Sequence, residues 1–177
     1  MRGFPEGIKF KYRWRKYQQR VLDELQGHLA DGSLHVIAPP GSGKTVLGLE
    51  VALRLNQATL ILAPTIAIRN QWIQRFCELF LQTEQTPDWI SRDIRNPKFM
   101  TVSTYQGLHA SCNNLKIEEE EDEEKQDEVI TDTEINTTAF DAVVRGLKAQ
   151  NIKTIIVDEA HHLKNEWQQI LRATASK

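Results

Sequence analysis

Residues 34–50 read LHVIAPPGSGKTVLGLE and carry the strongest signal for the fold of the chain. Residues 34–37 are mostly apolar and predict a short buried strand, and residues 47–55 predict a helix. The loop at 39–43 therefore links a strand to a helix. A glycine-rich turn in this position is suited to phosphate, because backbone N–H groups can point at the anion and the helix N-terminus adds the positive end of its dipole.

The side chains that follow the turn supply the rest of a phosphate site. Lys44 can reach the outer phosphates of a nucleotide, and the hydroxyl of Thr45 can bind Mg²⁺. The usual pattern is G-x-x-x-x-G-K-[ST], and Ala38 stands here in the place of the first glycine, while Gly43 is retained. The alternative is a glycine- and proline-rich turn followed by a Lys-Thr pair by chance, and the strand-to-helix context argues against it.

Length and composition are those of an ordinary globular domain. The chain has 177 residues, of which 40% are hydrophobic and 26% charged, enough for one domain with a substantial core. No apolar run approaches the length of a membrane span, and no apolar segment of a signal peptide follows the basic N-terminus. We therefore expect a cytoplasmic protein with no membrane partner. Cys77 and Cys112 lack metal-ligand spacing and are expected to be reduced structural thiols.

The net charge of −2 conceals a strong asymmetry. Residues 117–136 contain eleven acidic residues and one basic residue, a local charge of −10, so the rest of the chain carries +8. A basic body of this kind is compatible with a polyanionic partner, and ordinary solvated surface charge is the alternative. Because the acidic run has little apolar surface to bury, residues 113–136 are predicted to be a solvated, disordered insertion. A second hypothesis is that this run mimics nucleic acid on the basic surface.

Apolar periodicity predicts helices that alternate with strands. Helices are predicted at 15–30, 47–55, from about 66, from about 104, at 138–150 and at 163–174. Strands are predicted at 34–37, 58–63, 99–103 and 152–157. One short edge strand is possible near 89–90, and residues 8–12 are predicted to form a short strand or an extended arm. This alternation predicts an α/β domain with a mainly parallel sheet flanked by helices and a ligand site at the carboxyl ends of the strands. Considered alone, Gln18 in the first helix is expected to face solvent.

A second group of candidate residues follows the last predicted strand. Asp158 can hold Mg²⁺ together with Thr45, and Glu159 can orient or deprotonate the water that attacks a terminal phosphate. The alternative is a strand end with two solvated acids. His161 and His162 are neighbours whose side chains point apart, with no further cluster to complete a metal shell, so a zinc site is not expected.

The order of these motifs resembles the N-terminal RecA-like lobe of superfamily two helicases and translocases of the DEAH-box and restriction-enzyme type. The resemblance is carried by Arg15-Lys16-Tyr17-Gln18 (Q motif), residues 38–45 (motif I), Ala63-Pro64-Thr65 with Arg69-Asn70-Gln71-Trp72 (motif Ia), Val102 to Gln106 (motif Ib) and Val157 to His161 (motif II). It covers most of the chain.

The resemblance implies an ATP-binding lobe of a DNA or RNA helicase or translocase that hydrolyses ATP with Mg²⁺. It assigns adenine recognition to Arg15 and Gln18, and binding of the phosphates to Pro40, Gly41, Ser42, Gly43, Lys44 and Thr45. It assigns Mg²⁺ to Thr45 and Asp158, and catalysis to Lys44, Asp158, Glu159 and His161. Contact with the nucleic-acid backbone is assigned to Pro64, Thr65, Arg69, Thr104 and Tyr105.

The resemblance also predicts parts that this sequence lacks. Thr174-Ala175-Ser176 follows His161 too closely to be motif III, and no second RecA-like lobe with an arginine finger is present. We therefore predict an N-terminal arm at 1–13 and a lobe at 14–177 that is incomplete at its C-terminus and needs a second lobe, in cis or in trans, for full activity. The rival hypotheses are a P-loop ATPase acting on protein or transport partners and a truncated, non-catalytic binding fragment.

Overall fold

The computed structural model of the chain describes residues 1–29, 43–112 and 137–159. Its α-helices in these ranges are α1 (Lys16–Gln26), α2 (Lys44–Leu55), α3 (Ile66–Phe76), α4 (Tyr105–Cys112) and α5 (Thr137–Ala149). Its strands are β1 (Thr59–Ala63), β2 (Ile90–Ser91), β3 (Met100–Thr104) and β4 (Thr154–Val157). A π-helical turn, Cys77–Leu81, continues α3.

The four described strands form one parallel sheet in the order β2-β3-β1-β4. Thr59 of β1 is aligned with Met100 on one side and with Thr154 on the other. Because all these strands run in the same direction, their carboxyl ends lie at one edge of the sheet. The predicted α/β fold with a parallel sheet is confirmed, and the short edge strand expected near residues 89–90 is β2.

Helix α2 runs antiparallel to the strands, because only a short turn connects its end to the beginning of β1. It ends at Leu55, and β1 begins at Thr59. Asn56 turns the chain in the left-handed conformation, with φ of 51°, and its N–H donates to the carbonyl of Ala52 at 3.0 Å. The end of α2 therefore lies near the amino edge of the sheet, and the beginning of this 12-residue helix, about 18 Å away, lies toward the carboxyl edge.

The core is built on β1, whose residues Leu60 to Ala63 have no exposed surface. An aromatic cluster closes the amino side of the sheet, where the ring of Phe4 contacts Phe99 edge-on at 4.9 Å and Trp89 at 5.9 Å. The N–H of Phe4 also donates to the side chain of Asn56 at 2.8 Å. Part of the predicted N-terminal arm thus contributes to the core of the lobe, while the boundary at residue 13 stays a prediction.

Three local expectations differ from the structure. Helix α1 ends at Gln26 instead of near Asp31, because Gly27 follows and glycine is unfavourable in a helix. Residues 8–12 form no strand, and the extended arm is attached by the N–H of Lys11, which donates to the carbonyl of Leu79 at 2.7 Å. The last strand, β4, spans Thr154–Val157 instead of residues 152–157, and within it only Thr154 is buried.

Several predicted segments lie outside the described residues. They are the strand at 34–37, most of the phosphate loop, the acidic insertion at 113–136 and the helix at 163–174. Within the described ranges, none of the helices combines the length and the apolar character needed to cross a membrane.

Candidate nucleotide site

The acidic turn after β4, Asp158 and Glu159, lies at the carboxyl edge of the sheet. The N–H of Asp158 donates to the carbonyl of Leu62 at 2.8 Å, which extends the pairing of β4 with β1 beyond the end of the strand. Glu159 then adopts the left-handed conformation, with φ of 59°. For a non-glycine residue this conformation costs about 1–3 kcal/mol, and such strain is concentrated at functional sites.

Two side chains from neighbouring helices hold this turn. The indole N–H of Trp72, on α3, donates to Oδ2 of Asp158 at 2.9 Å. The hydroxyl of Tyr105, at the start of α4, donates to the backbone carbonyl of Asp158 in a short hydrogen bond and lies 3.2 Å from the carbonyl of Glu159. Burial, together with the negative charges of Asp158 and Glu159, raises the pKa of Tyr105 well above its usual range, so the phenol stays protonated and acts as a donor.

The phosphate-loop helix α2 begins at Lys44, directly after Gly43. Gly43 has a φ of 79°, a conformation that favours glycine. Thr45 is buried, with 9% of its surface exposed. No acidic residue lies in the first turn of α2, so the unpaired N–H groups and the positive end of the helix dipole there are not offset by a local carboxylate.

Gln18 packs against the start of this helix. It is 7% exposed, and its Oε1 accepts a hydrogen bond from the N–H of Arg15 at 3.1 Å. A Cβ on Gly43 would lie only 2.6 Å from the side-chain nitrogen of Gln18, so the glycine allows the two segments to meet. The expectation that Gln18 faces solvent is therefore wrong. Arg15 itself is exposed.

The beginning of α2 and the acidic turn are brought to the same edge of the sheet. One turn after Lys44, a Cβ on Gly48 would lie 2.7 Å from Cη2 of Trp72 and 3.9 Å from Cγ2 of Ile156 in β4. From this contact α2 leads back to Lys44 toward the carboxyl edge, and β4 leads forward to Asp158 in the same direction. Trp72 therefore lies against α2 on one side and binds the acidic turn with its N–H.

Comparison with known proteins shows the family to which the chain belongs. A family model described as type III restriction enzyme, res subunit, matches residues 11–177. The chain belongs to this family. The match identifies it as an N-terminal RecA-like lobe of the superfamily two helicase type.

Individual relatives of this restriction-enzyme family member match over shorter ranges. The DNA 3'-5' helicase XPB of Mycobacterium tuberculosis is 32% identical over 92 residues, which are 52% of this chain and 16% of the relative. The DNA 3'-5' translocase XPB2 of Sulfurisphaera tokodaii is 29% identical over 108 residues, 61% of this chain and 23% of the relative. The chain thus spans less than a quarter of the length of these relatives.

The predicted nucleic-acid residues lie at the same edge as the acidic turn, after β1 and β3. Thr65 caps α3, since its hydroxyl accepts from the N–H of Ile68 at 3.1 Å. Thr104 does the same for the N–H of Gly107 at 2.9 Å and is buried. Arg69 is half-buried, with its guanidinium 3.3 Å from Oδ1 of Asn70.

Tyr105 differs most from its predicted role. It is 8% exposed, and its hydroxyl is directed into the lobe, toward the acidic turn. The structure therefore gives this residue an internal partner. Pro64, by contrast, is half-buried at the end of β1. Contact of either residue with nucleic acid stays a prediction.

Four of the predicted site residues lie outside the described ranges: Pro40, Gly41, Ser42 and His161. The described residues nevertheless fit a Mg²⁺-nucleotide. The hydrogen bond from Trp72 uses only Oδ2 of Asp158, so Oδ1 has no described hydrogen-bond partner, and the hard oxygen atoms of a carboxylate and a threonine hydroxyl are ligands that Mg²⁺ prefers.

The sequence did not reveal the partners of Trp72 and Tyr105. Trp72 is buried, with 3% of its surface exposed. The available signal was the indole N–H itself, since a buried tryptophan usually finds an acceptor. The identity of this acceptor, Asp158, follows only from the sheet order, which places β4 beside β1.

Proposed function

We propose that this lobe binds ATP with Mg²⁺ and hydrolyses it as part of a DNA or RNA helicase or translocase. The observation that carries the proposal is that Trp72 contacts both the phosphate-loop helix, at Gly48, and the acidic turn, at Asp158, so that both segments lie toward one edge of the sheet. Phosphate transfer depends mainly on positioning and charge, and these two segments carry the groups that it requires.

Each residue of the site has a definite part in the proposal. Lys44 binds the outer phosphates, and the backbone around Gly43 binds the phosphates through its N–H groups. Thr45 and Asp158 hold the metal, which neutralises charge on the phosphates when bound. Glu159 orients the attacking water. Asp158, Glu159, Ala160 and His161 make the DEAH sequence of motif II. His161 links the nucleotide site to the nucleic acid.

Adenine recognition is assigned to Gln18, with Arg15 beside it. The burial of Gln18 against Gly43 supports this assignment, because it places an amide next to the phosphate loop. An amide can donate and accept at once, which suits the edge of adenine.

The nucleic acid is proposed to be DNA, held by its backbone. The support is the basic body of the chain, +8 outside the acidic run, and the relatives named as DNA helicase and DNA translocase. Backbone binding of this kind is independent of sequence and weakens with salt. The site of action is proposed to be the cytoplasm.

Full activity is proposed to need a second RecA-like lobe, in cis or in trans. Such a lobe would contribute an arginine finger, which is worth about 10³–10⁵ in rate. The chain spans less than a quarter of the length of the two relatives named as a DNA helicase and a DNA translocase.

The test is nucleotide binding by the purified chain, measured calorimetrically with Mg²⁺, in the parent and in Lys44→Ala. We expect the parent to bind ATP and the variant to bind it much more weakly, because the charge that meets the outer phosphates is gone. Lys153→Ala, an exposed lysine at the amino edge of the sheet, is the matched control.

The nucleic-acid part is tested by adding single-stranded DNA or RNA, after a second lobe has been supplied, and measuring phosphate release. Stimulation by DNA is expected. Equal ATP binding by the parent and Lys44→Ala would contradict the nucleotide site, and hydrolysis indifferent to both nucleic acids would favour an ATPase with protein partners.

A further inference from the structure

We propose that Trp72 and Tyr105 are positioning residues that hold the acidic turn for the Mg²⁺-nucleotide and link it to the two segments predicted to contact nucleic acid. This inference rests on the proposed function. It assigns to the two residues a role that the motif resemblance does not give them.

Trp72 controls one oxygen of the metal-binding carboxylate. Its indole N–H is 2.9 Å from Oδ2 of Asp158, a charge-assisted hydrogen bond in a largely buried setting. The ring has little freedom to move, because its edge lies where a Cβ on Gly48 would be. The carboxylate therefore has one fixed oxygen and one oxygen with no hydrogen-bond partner among the described residues, an arrangement that orients a metal ligand from outside the metal shell.

Tyr105 controls the backbone of the same turn. Its hydroxyl donates to the carbonyl of Asp158 and lies close to that of Glu159, whose backbone is in the left-handed conformation. The two residues together hold both the side chain and the main chain of the turn.

Both residues belong to elements that begin at the carboxyl edge of the sheet. Helix α3 starts after Thr65, passes Arg69 and reaches Trp72 less than one turn later. Helix α4 starts with Tyr105 itself, directly after Thr104. A shift of either helix on contact with nucleic acid changes a donor-to-acceptor distance at the acidic turn, and a hydrogen bond is lost when this distance passes about 3.5 Å.

The experiment compares Trp72→Phe with Trp89→Phe in the whole chain. Both changes replace a buried or half-buried indole by a smaller ring, but only the first removes a hydrogen bond to Asp158. The dissociation constant for ATP is measured by calorimetry in Mg²⁺ and in EDTA. The decisive quantity is the ratio of the two constants, the dissociation constant in EDTA divided by that in Mg²⁺. A general loss of folding would change both constants and would not change this ratio selectively.

We expect Trp72→Phe to bind ATP in EDTA as the parent does and to lose about 10-fold or more of its affinity in Mg²⁺, the usual effect of removing a partner of a metal ligand. Trp89→Phe should keep the parent ratio. Tyr105→Phe removes a single oxygen and should also lower the ratio, which keeps the inference testable if Trp72→Phe does not fold.

The link to nucleic acid is measured in the same titrations with a single-stranded oligonucleotide added. We expect the oligonucleotide to change the affinity for Mg²⁺-ATP in the parent and in Trp89→Phe, and to have little effect in Trp72→Phe. By reciprocity, Mg²⁺-ATP then changes the affinity for the oligonucleotide by the same factor in the parent.

The outcomes separate this inference from the function on which it rests. A parent that binds ATP in a Lys44-dependent way, with the same ratio in Trp72→Phe and Tyr105→Phe, overturns the positioning role alone. An oligonucleotide without effect on the parent overturns the link. Binding that is indifferent to Lys44→Ala overturns the proposed function and this inference with it.

Discussion

Replacing Gly48 by alanine should destabilise the lobe, although alanine is the better helix former. Gly48 lies in the interior of α2, and a Cβ there would be 2.7 Å from Cη2 and 3.1 Å from Cζ3 of Trp72. The ring is 3% exposed and bound through its N–H to Asp158, so it cannot move without breaking that hydrogen bond.

The magnitude follows from two opposing effects. Overpacking of a core typically costs about 1–3 kcal/mol, and the higher helix propensity of alanine returns about 1 kcal/mol. We therefore expect Gly48→Ala to lower the free energy of unfolding by about 0–2 kcal/mol. Gly146→Ala in α5 is the matched control, because its Cβ would meet Pro97 at 3.7 Å, an ordinary contact. That variant should gain about 1 kcal/mol of stability.

The assay is urea unfolding of the parent and both variants, followed by circular dichroism, with melting temperatures as a second readout. The two variants should differ by about 1–3 kcal/mol, and each kcal/mol shifts the melting temperature of a domain of this size by about 2–4 °C. If Gly48→Ala is stabilised as much as Gly146→Ala, the close contact between α2 and Trp72 does not exist.

Three further changes test other parts of the structure. Asn56→Ala should lower the free energy of unfolding by about 1–3 kcal/mol, because alanine is strained at a φ of 51° and the N–H of Phe4 loses its acceptor. Asn56→Gly should lower it by less in the same urea titration. Burial raises the pKa of Cys112 to about 11, so the folded state favours the neutral thiol. The free energy of unfolding should therefore be full below pH 9 and fall as the pH rises from 9 to 11. In a pH series, Cys112→Ala should show a flatter decline of this free energy. Tyr105→Phe should cost about 1–2 kcal/mol in thermal unfolding, because the carbonyl of Asp158 loses a buried donor, and no loss at all would mean that the turn is held by other contacts.

The sequence was most informative where one residue pattern determines one structure. The apolar run at β1 and the periodicity of α5 predicted elements that the structure contains within one or two residues. Local signals also placed the acidic pair directly after the last described strand. These predictions succeeded because burial on both faces of a parallel strand and burial along one face of a helix leave a clear pattern of apolar residues.

The sequence was least informative where function depends on contacts between distant segments. Gln18 was expected at the surface, and the structure buries it against Gly43, because only the packing of α1 on α2 determines its surroundings. Trp72 and Asp158 are 86 residues apart, and their hydrogen bond depends on the sheet order. Tyr105 was predicted to contact nucleic acid from its motif alone, whereas the conformation of the turn after β4 directs its hydroxyl inward.

We propose that the start of α2 and the acidic turn bind one and the same metal-nucleotide. The most direct measurement is paramagnetic broadening in the NMR spectrum of the chain when Mn²⁺-ATP replaces Mg²⁺-ATP. We predict that the backbone amide signals of Lys44, Thr45 and Asp158 broaden together, while that of Asn56, about 18 Å along α2, stays much sharper. Broadening at only one of the two segments, or an equal effect at Asn56, would contradict the claim.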